Sequence, residues 1–133
     1  MNIWVNGCFD ILHFGHIELF KFAKSLGTFL VVGTDTDRKV RELKGLNRPI
    51  NSQEDRIALL NSIKYIDCVV LFDTNEEISE YVKMYNIDII VTSTDHNNHY
   101  VPGSEYAKYG IRFFDRIERI STTKIIQKCL KYE

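Results

Sequence analysis

Short apolar runs with the look of strands alternate along this chain with stretches of helical period, and that alternation is what most restricts its fold. Asn2 to Asn6 is a short extended segment. Leu19, Phe22, Ala23 and Leu26 fall at i, i+3, i+4 and i+7, one face of a helix whose pattern starts at His16 and which Gly27 stops. Phe29 to Thr34 is apolar and β-branched, as a strand buried on both faces must be.

The same alternation runs to the end. Asp35 to Pro49 carries Arg38, Lys39, Arg41, Lys44 and Arg48 among few apolar residues and reads as a mobile basic loop that can hold a helical turn. Ser52 with Asp55 three residues on resembles a helix cap, and Ile57, Leu60 and Ile63 continue that helix. Cys68 to Phe72 is a third strand. Ile78, Tyr81, Val82 and Tyr85 again mark a helical face, which makes the two tyrosines core or interface residues. Asp88 to Thr92 and Ile111 to Asp115 are the fourth and fifth strands, and Ser121 can cap a last helix whose apolar face is Ile125, Ile126, Cys129 and Leu130. Strands joined by helices through short connections predict an α/β fold, a doubly wound parallel five-stranded sheet, in a single domain spanning residues 1–133.

Charge then limits the partners. The formal net charge of -1 leaves no global basic field to draw nucleic acid or an anionic membrane, so an anion site must come from a local cluster. Runs such as Phe29 to Val32 and Ile87 to Val91 are too short to span a bilayer. There is no basic-then-apolar leader pattern, and Cys8, Cys68 and Cys129 form no CxxC pair. Reduced thiols in a cytoplasmic protein are the expectation.

Two places offer an anion site. Asn6-Gly7-Cys8-Phe9-Asp10-Ile11-Leu12-His13-Phe14-Gly15-His16 puts two imidazoles and a glycine at the mouth of the first helix, beside backbone N–H groups with no partner inside it. Ser121, Thr122 and Thr123 open the last helix in the same way. Both follow strands, at the end of the sheet where ligands sit at the switch point of strand order. If both flank that point they form one site.

Blander readings compete. Two histidines are too few for a structural metal site, so none is expected. Cys8 lacks the partners of a nucleophilic thiol, which leaves packing or backbone contact. Asp95-His96-Asn97-Asn98-His99 is open to a metal or acceptor role but reads first as an exposed polar loop. The basic stretch from Arg38 to Arg48 reads mainly as a solvated face.

NGCFDILHFGH resembles the HxGH signature of the cytidylyltransferase-like nucleotidyltransferases, and RIERISTTKI, Arg116 to Ile125, resembles their second signature, in the family's order. Within that group the chain is similar throughout to the adenylyltransferase domains that make ADP-heptose from a heptose 1-phosphate. NGCFDILH, LKGLNRPIN (Leu43 to Asn51) with Arg56 after it, and Asp95 followed by Gly103-Ser104-Glu105 carry that likeness. The ISTTKI ending is closer to glycerol-3-phosphate cytidylyltransferases, and flavin-type adenylyltransferases are a third relative with a similar start. One departure is Thr92-Ser93-Thr94 before Asp95, where both nearer groups usually have a glycine-containing turn.

The resemblance implies a Rossmann-like fold and a reaction in which a substrate phosphate attacks the α-phosphorus of ATP or CTP and releases pyrophosphate. It assigns His13 and His16 to the α- and β-phosphates, Cys8 and Phe9 to backbone contacts with the nucleotide, and Gly15 to close approach. Ser121, Thr122, Thr123 and Arg116 go to the β- and γ-phosphates, and Lys44 bridges acceptor and triphosphate. Arg119 stands where one relative has glycine. Asp10, Arg56 and Asp95 are the implied acceptor-side residues, Mg²⁺ arrives with the triphosphate, and a homodimer is implied. A non-catalytic nucleotide-binding regulator of the same fold is the rival from another class.

Overall fold

The computed structural model of the chain describes residues 1–131, so the last two residues of the expected 1–133 domain lie outside the described residues. Strand β1, Asn2–Gly7, pairs in parallel with β2, Phe29–Asp35, from Asn2↔Phe29 to Gly7↔Thr34. Next come β3, Cys68–Phe72, β4, Ile89–Ser93, and β5, Ile111–Phe114. All pairings are parallel, in the order β3-β2-β1-β4-β5. The order reverses between β1 and β4, which makes that junction the switch point.

There the sheet parts. β1 and β4 are in register only at Ile3↔Ile89 and Trp4↔Ile90, although β1 runs on to Gly7 and β4 to Ser93. The carboxyl ends of the two central strands therefore open a crevice, while each stays paired to its outer neighbour.

Both faces of the sheet are covered, as the apolar strands require. Ile3 and Val5 pack with Phe20, Ala23 and Leu60 of helices α1 (Phe14–Ser25) and α3 (Gln53–Asn61). Trp4 points to the other face with Ile78 and Val82 of α4, Asn75–Met84, and its ring stacks on Tyr81 at 5.9 Å. The two tyrosines are core-side residues, with Tyr81 donating to the Leu71 carbonyl. No helix among the described residues is long and apolar enough to cross a membrane.

Three local expectations are corrected. The first helix starts at Phe14, because the His13 side chain caps it. Gly27 serves a contact more than a stop signal: a Cβ there would lie 2.2 Å from the Met1 carbonyl oxygen, which accepts from Thr28 N–H. Asp35 to Pro49 is not a loop throughout; it contains helix α2, Asp37–Lys44, capped by Thr36 on the Lys39 N–H. Only Val40 of α2 is buried, so its apolar period is too sparse to read in sequence.

Candidate active site

The crevice holds a cavity of about 480 Å³. His13, Gly15 and His16 line it from the mouth of α1, Lys44 and Arg48 from the end of α2 and the following turn, and Ser121, Thr122 and Thr123 from the start of α5, Thr122–Leu130. Cys8, Phe9, Asp10, Asp95 and Arg116 complete the set of expected residues at its walls. Arg56 does not reach it. The two signatures, more than a hundred residues apart, thus meet across the switch point: Thr122 Oγ1 donates to the Ile11 carbonyl at 3.1 Å (|i−j|=111). Arg119 adds a second brace, its guanidinium carbon 5.3 Å from the Phe14 ring centroid.

The two imidazoles are locked by backbone. Gly15 N–H donates to His13 Nδ1 at 3.1 Å, and His13 N–H donates to His16 Nδ1 at 3.2 Å. Their rings stack with centroids 3.8 Å apart. A ring whose Nδ1 accepts carries its proton on Nε2 when neutral. Both histidines therefore present an Nε2–H donor. Burial, with His13 beside it, pushes His16 down to about 3, and burial also holds His13 below the ordinary histidine range. These are neutral donors at physiological pH. Gly15 has a role beyond close approach, because a Cβ there would come within 2.9 Å of the His13 ring.

Neutral His16 links stability to pH. Unfolded, it takes up a proton near pH 6.5; folded, only near 3. The contribution is whole above pH 6.5 and is lost as pH falls toward 3, at no more than about 1.4 kcal/mol per pH unit. Between pH 6.5 and 5, before most carboxylates titrate, denaturant unfolding is expected to show falling stability in the wild type and a shallower slope in His16→Gln. Parallel slopes would contradict it.

Phe9 lies beneath the motif. Its backbone is in the left-handed region at φ 49, and its side chain, nearly buried, meets His16 edge-on at 5.3 Å. Cys8 donates its thiol to Asp35 Oδ2 at 3.2 Å, and burial followed by the Asp35 charge pushes it up to about 12. A thiol so firmly protonated is no nucleophile, in keeping with the packing reading.

Arg56 and Asp10 are corrected from acceptor contacts to framework. Arg56 is fully buried; it donates to the Cys8 carbonyl at 2.7 Å, Thr34 Oγ1 at 2.8 Å, Asp37 Oδ1 at 2.8 Å and the Asn51 carbonyl at 3.1 Å. Asp10 is 1% exposed, and its carboxylate accepts from Arg48 Nε, Ile50 N–H and Asn51 N–H within 3.0 Å. Burial opposes its charge, but the Asn51 and Ile50 N–H groups and Arg48 outweigh that and hold the carboxyl below the usual range. Asp95 faces Arg116 at 3.4 Å, both exposed. With His96 it lines the cavity, so the head of the polar stretch belongs to the site, while Asn97, Asn98 and His99 do not line it.

Arg48 and Ser93 were missed as site residues, while His96 belongs to the polar stretch already open to an acceptor role. Arg48 lies inside the LKGLNRPIN match and carried a usable signal; Ser93 ends β4, which only the topology brings to the cavity. Arg38 is engaged with Asp73 and Glu42, which fits the solvated-face reading of that part of the basic stretch. Among the described residues no group of three or more His, Cys, Asp or Glu is placed to hold a metal ion.

The family model described as cytidylyltransferase-like matches residues 4–128. The chain is 44% identical over 126 residues to the bifunctional protein HldE of Campylobacter fetus subsp. fetus and 43% identical to that of Nitratiruptor sp.. Each match covers 95% of this chain but 27% of the relative, so the chain spans about a quarter of the length of these proteins. A crystal structure of a lipopolysaccharide core biosynthesis protein from Thermoplasma volcanium GSS1 superposes with a TM-score of 0.70 at 26% identity, covering 87% of this chain and 97% of that one. The chain belongs to the cytidylyltransferase-like family.

Proposed function

We propose that this protein is a nucleotidyltransferase that joins AMP from ATP to the phosphate of a heptose 1-phosphate, or a closely similar sugar phosphate, releasing pyrophosphate. The observation that carries the reading is the placement of two neutral Nε2–H donors, a helix start and Lys44 around one crevice. The heptose choice rests on the NGCFDILH and LKGLNRPIN likeness and on the identity to the HldE proteins.

An oxygen of the acceptor phosphate attacks the α-phosphorus, the bond from that phosphorus to the α,β-bridging oxygen breaks, and pyrophosphate leaves with the electron pair. The acceptor is already ionised, since a phosphate monoester has its second pKa near about 6, so no general base is needed. Catalysis is positioning and charge stabilisation. His13 and His16 donate from Nε2 as charge moves onto the leaving group. At α5 Ser121 Oγ accepts from Lys124 N–H, which leaves its O–H and the Thr122 and Thr123 N–H groups to donate to the β- and γ-phosphates. Arg116 exchanges Asp95 for the triphosphate. Lys44, exposed at the end of α2, draws the second anion beside the first.

The donor set fits a magnesium ion carried by the triphosphate and water rather than one caged by protein. Of the carboxylates at the cavity, Asp10 has its oxygens occupied and Asp95 faces Arg116. Bound in this way, Mg²⁺ would neutralise charge on the triphosphate.

A pyrophosphate-release screen tests the assignment by crossing ATP, CTP, GTP and UTP with heptose 1-phosphate, glycerol 3-phosphate, other sugar phosphates and FMN. Release with ATP and heptose 1-phosphate is expected. Release only with CTP and glycerol 3-phosphate would transfer the chain to the cytidylyltransferase alternative, and none with any pair would favour a regulator. Lys44→Ala is expected to slow transfer or raise the acceptor KM at least tenfold with little change in Tm; unchanged kinetics would remove Lys44 from the site.

A further inference from the structure

Arg48 is a cation that the fold has placed but only partly used. Its Nε donates to Asp10 Oδ2 at 2.8 Å, and no group among the described residues accepts from its two terminal nitrogens. Its side chain is 15% exposed, and the exposed part lines the cavity that Lys44 also lines. A partly buried guanidinium that lines a cavity, with its two terminal nitrogens unpartnered among the described residues, is a fork suited to an anion.

The fork is held from behind. Asp10, 1% exposed at the end of β1, accepts from Arg48 Nε, from Ile50 N–H at 2.9 Å and from Asn51 N–H at 2.9 Å, and its own carbonyl accepts from Asn51 Nδ2 at 2.8 Å. Arg48 N–H donates to the Gly45 carbonyl at 3.2 Å, closing the turn that follows Lys44. One buried carboxylate thus fixes the segment that presents Arg48 and ties it to the strand end leading into His13. Asp10 shares its carboxylate among Arg48 Nε and two backbone N–H groups and does not contact the terminal nitrogens, which keep their N–H donors for another anion. The triphosphate side of the cavity already has its own donors in His13, His16, the start of α5 and Arg116.

We propose that Arg48 is an acceptor-phosphate-binding residue, gripping two oxygens of the sugar phosphate through its terminal nitrogens beside Lys44, with Asp10 as its positioning residue. This rests on the nucleotidyl-transfer reading above. A fork of this shape matches a phosphate group, which offers it two oxygens at once.

The test separates the acceptor from the nucleotide. Inorganic phosphate is titrated by calorimetry into the protein saturated with a non-hydrolysable ATP analogue, for wild type, Arg48→Ala, Arg48→Lys and Asp10→Asn, each checked for folding by thermal melt. Phosphate affinity is expected to fall tenfold or more in Arg48→Ala and several-fold in Arg48→Lys, with the affinity for the analogue within twofold of wild type. In turnover the acceptor KM rises while the ATP KM holds. Asp10→Asn raises the acceptor KM in the wild-type background and adds nothing further once Arg48 is alanine, a non-additivity that a merely structural role would not produce. Phosphate binding unchanged in Arg48→Ala, or loss of the ATP analogue instead, would overturn the proposal. Phosphate binding does not depend on the identity of the sugar. A wild type that binds phosphate through Arg48 yet turns over no sugar phosphate would therefore leave this assignment standing and fail the functional one.

Discussion

His16→Ala is expected to lower kcat by about 10²–10³-fold, the loss of about 2.7–4 kcal/mol that follows removal of one preorganised donor to developing charge. The effect should be this large because the Nε2–H is aimed without any reorganisation. His16 Nδ1 is held by the His13 N–H, the ring lies against Phe9, and the fold keeps it neutral with its pKa down at about 3. Such a donor needs no protonation event, so its contribution to rate should not titrate near the ordinary histidine range. The fold should survive, because the sheet and both core clusters exclude His16 from their fully buried members. Steady-state kinetics with a thermal melt on the same sample check both halves. A folded His16→Ala protein with unaltered kcat would remove the imidazole from the reaction.

Arg56→Ala should act on stability instead, by about 3–5 kcal/mol, the usual cost of removing one partner from a buried charged network. The guanidinium is fully buried and joins four places: the Cys8 carbonyl at the end of β1, Thr34 in β2, Asp37 at the start of α2 and the Asn51 carbonyl before α3. Its loss leaves Asp37 Oδ1 and the Asn51 carbonyl without this donor around a cavity, while the Cys8 carbonyl keeps only the Thr34 hydroxyl. Arg56→Lys should rescue little, since an ammonium cannot span the same fork. Urea unfolding of the three proteins measures this; a loss under 1 kcal/mol for Arg56→Ala would show that the network relaxes onto water.

The contrast between these two residues marks what sequence conveys here. The five strands were legible because central parallel strands are apolar on both faces, as in Phe29 to Thr34, and need no partner to be recognised. The histidine motif was legible because its chemistry is local to one helix mouth. Arg56 misled, because the likeness that runs from LKGLNRPIN into it implies an acceptor contact until the fold shows four protein acceptors around it. Asp10 misled for the same reason: its partners Arg48, Ile50 and Asn51 lie about forty residues away in the chain (|i−j|=38 to 41). Helix α2 escaped because capping by Thr36 and a single buried Val40 leave almost no apolar period. The start of α1 was displaced by two residues because the cap is a histidine, a residue type seldom counted among caps.

The central claim is that one crevice brings an acceptor phosphate to the α-phosphorus of a nucleoside triphosphate, and phosphorus NMR of the reaction mixture tests it most directly. With ATP, Mg²⁺ and heptose 1-phosphate the account predicts the paired signals of a sugar-linked diphosphodiester appearing in step with an equal amount of pyrophosphate, and neither signal when the acceptor is left out. Formation of ADP with inorganic phosphate, or pyrophosphate released without the sugar phosphate, would contradict it.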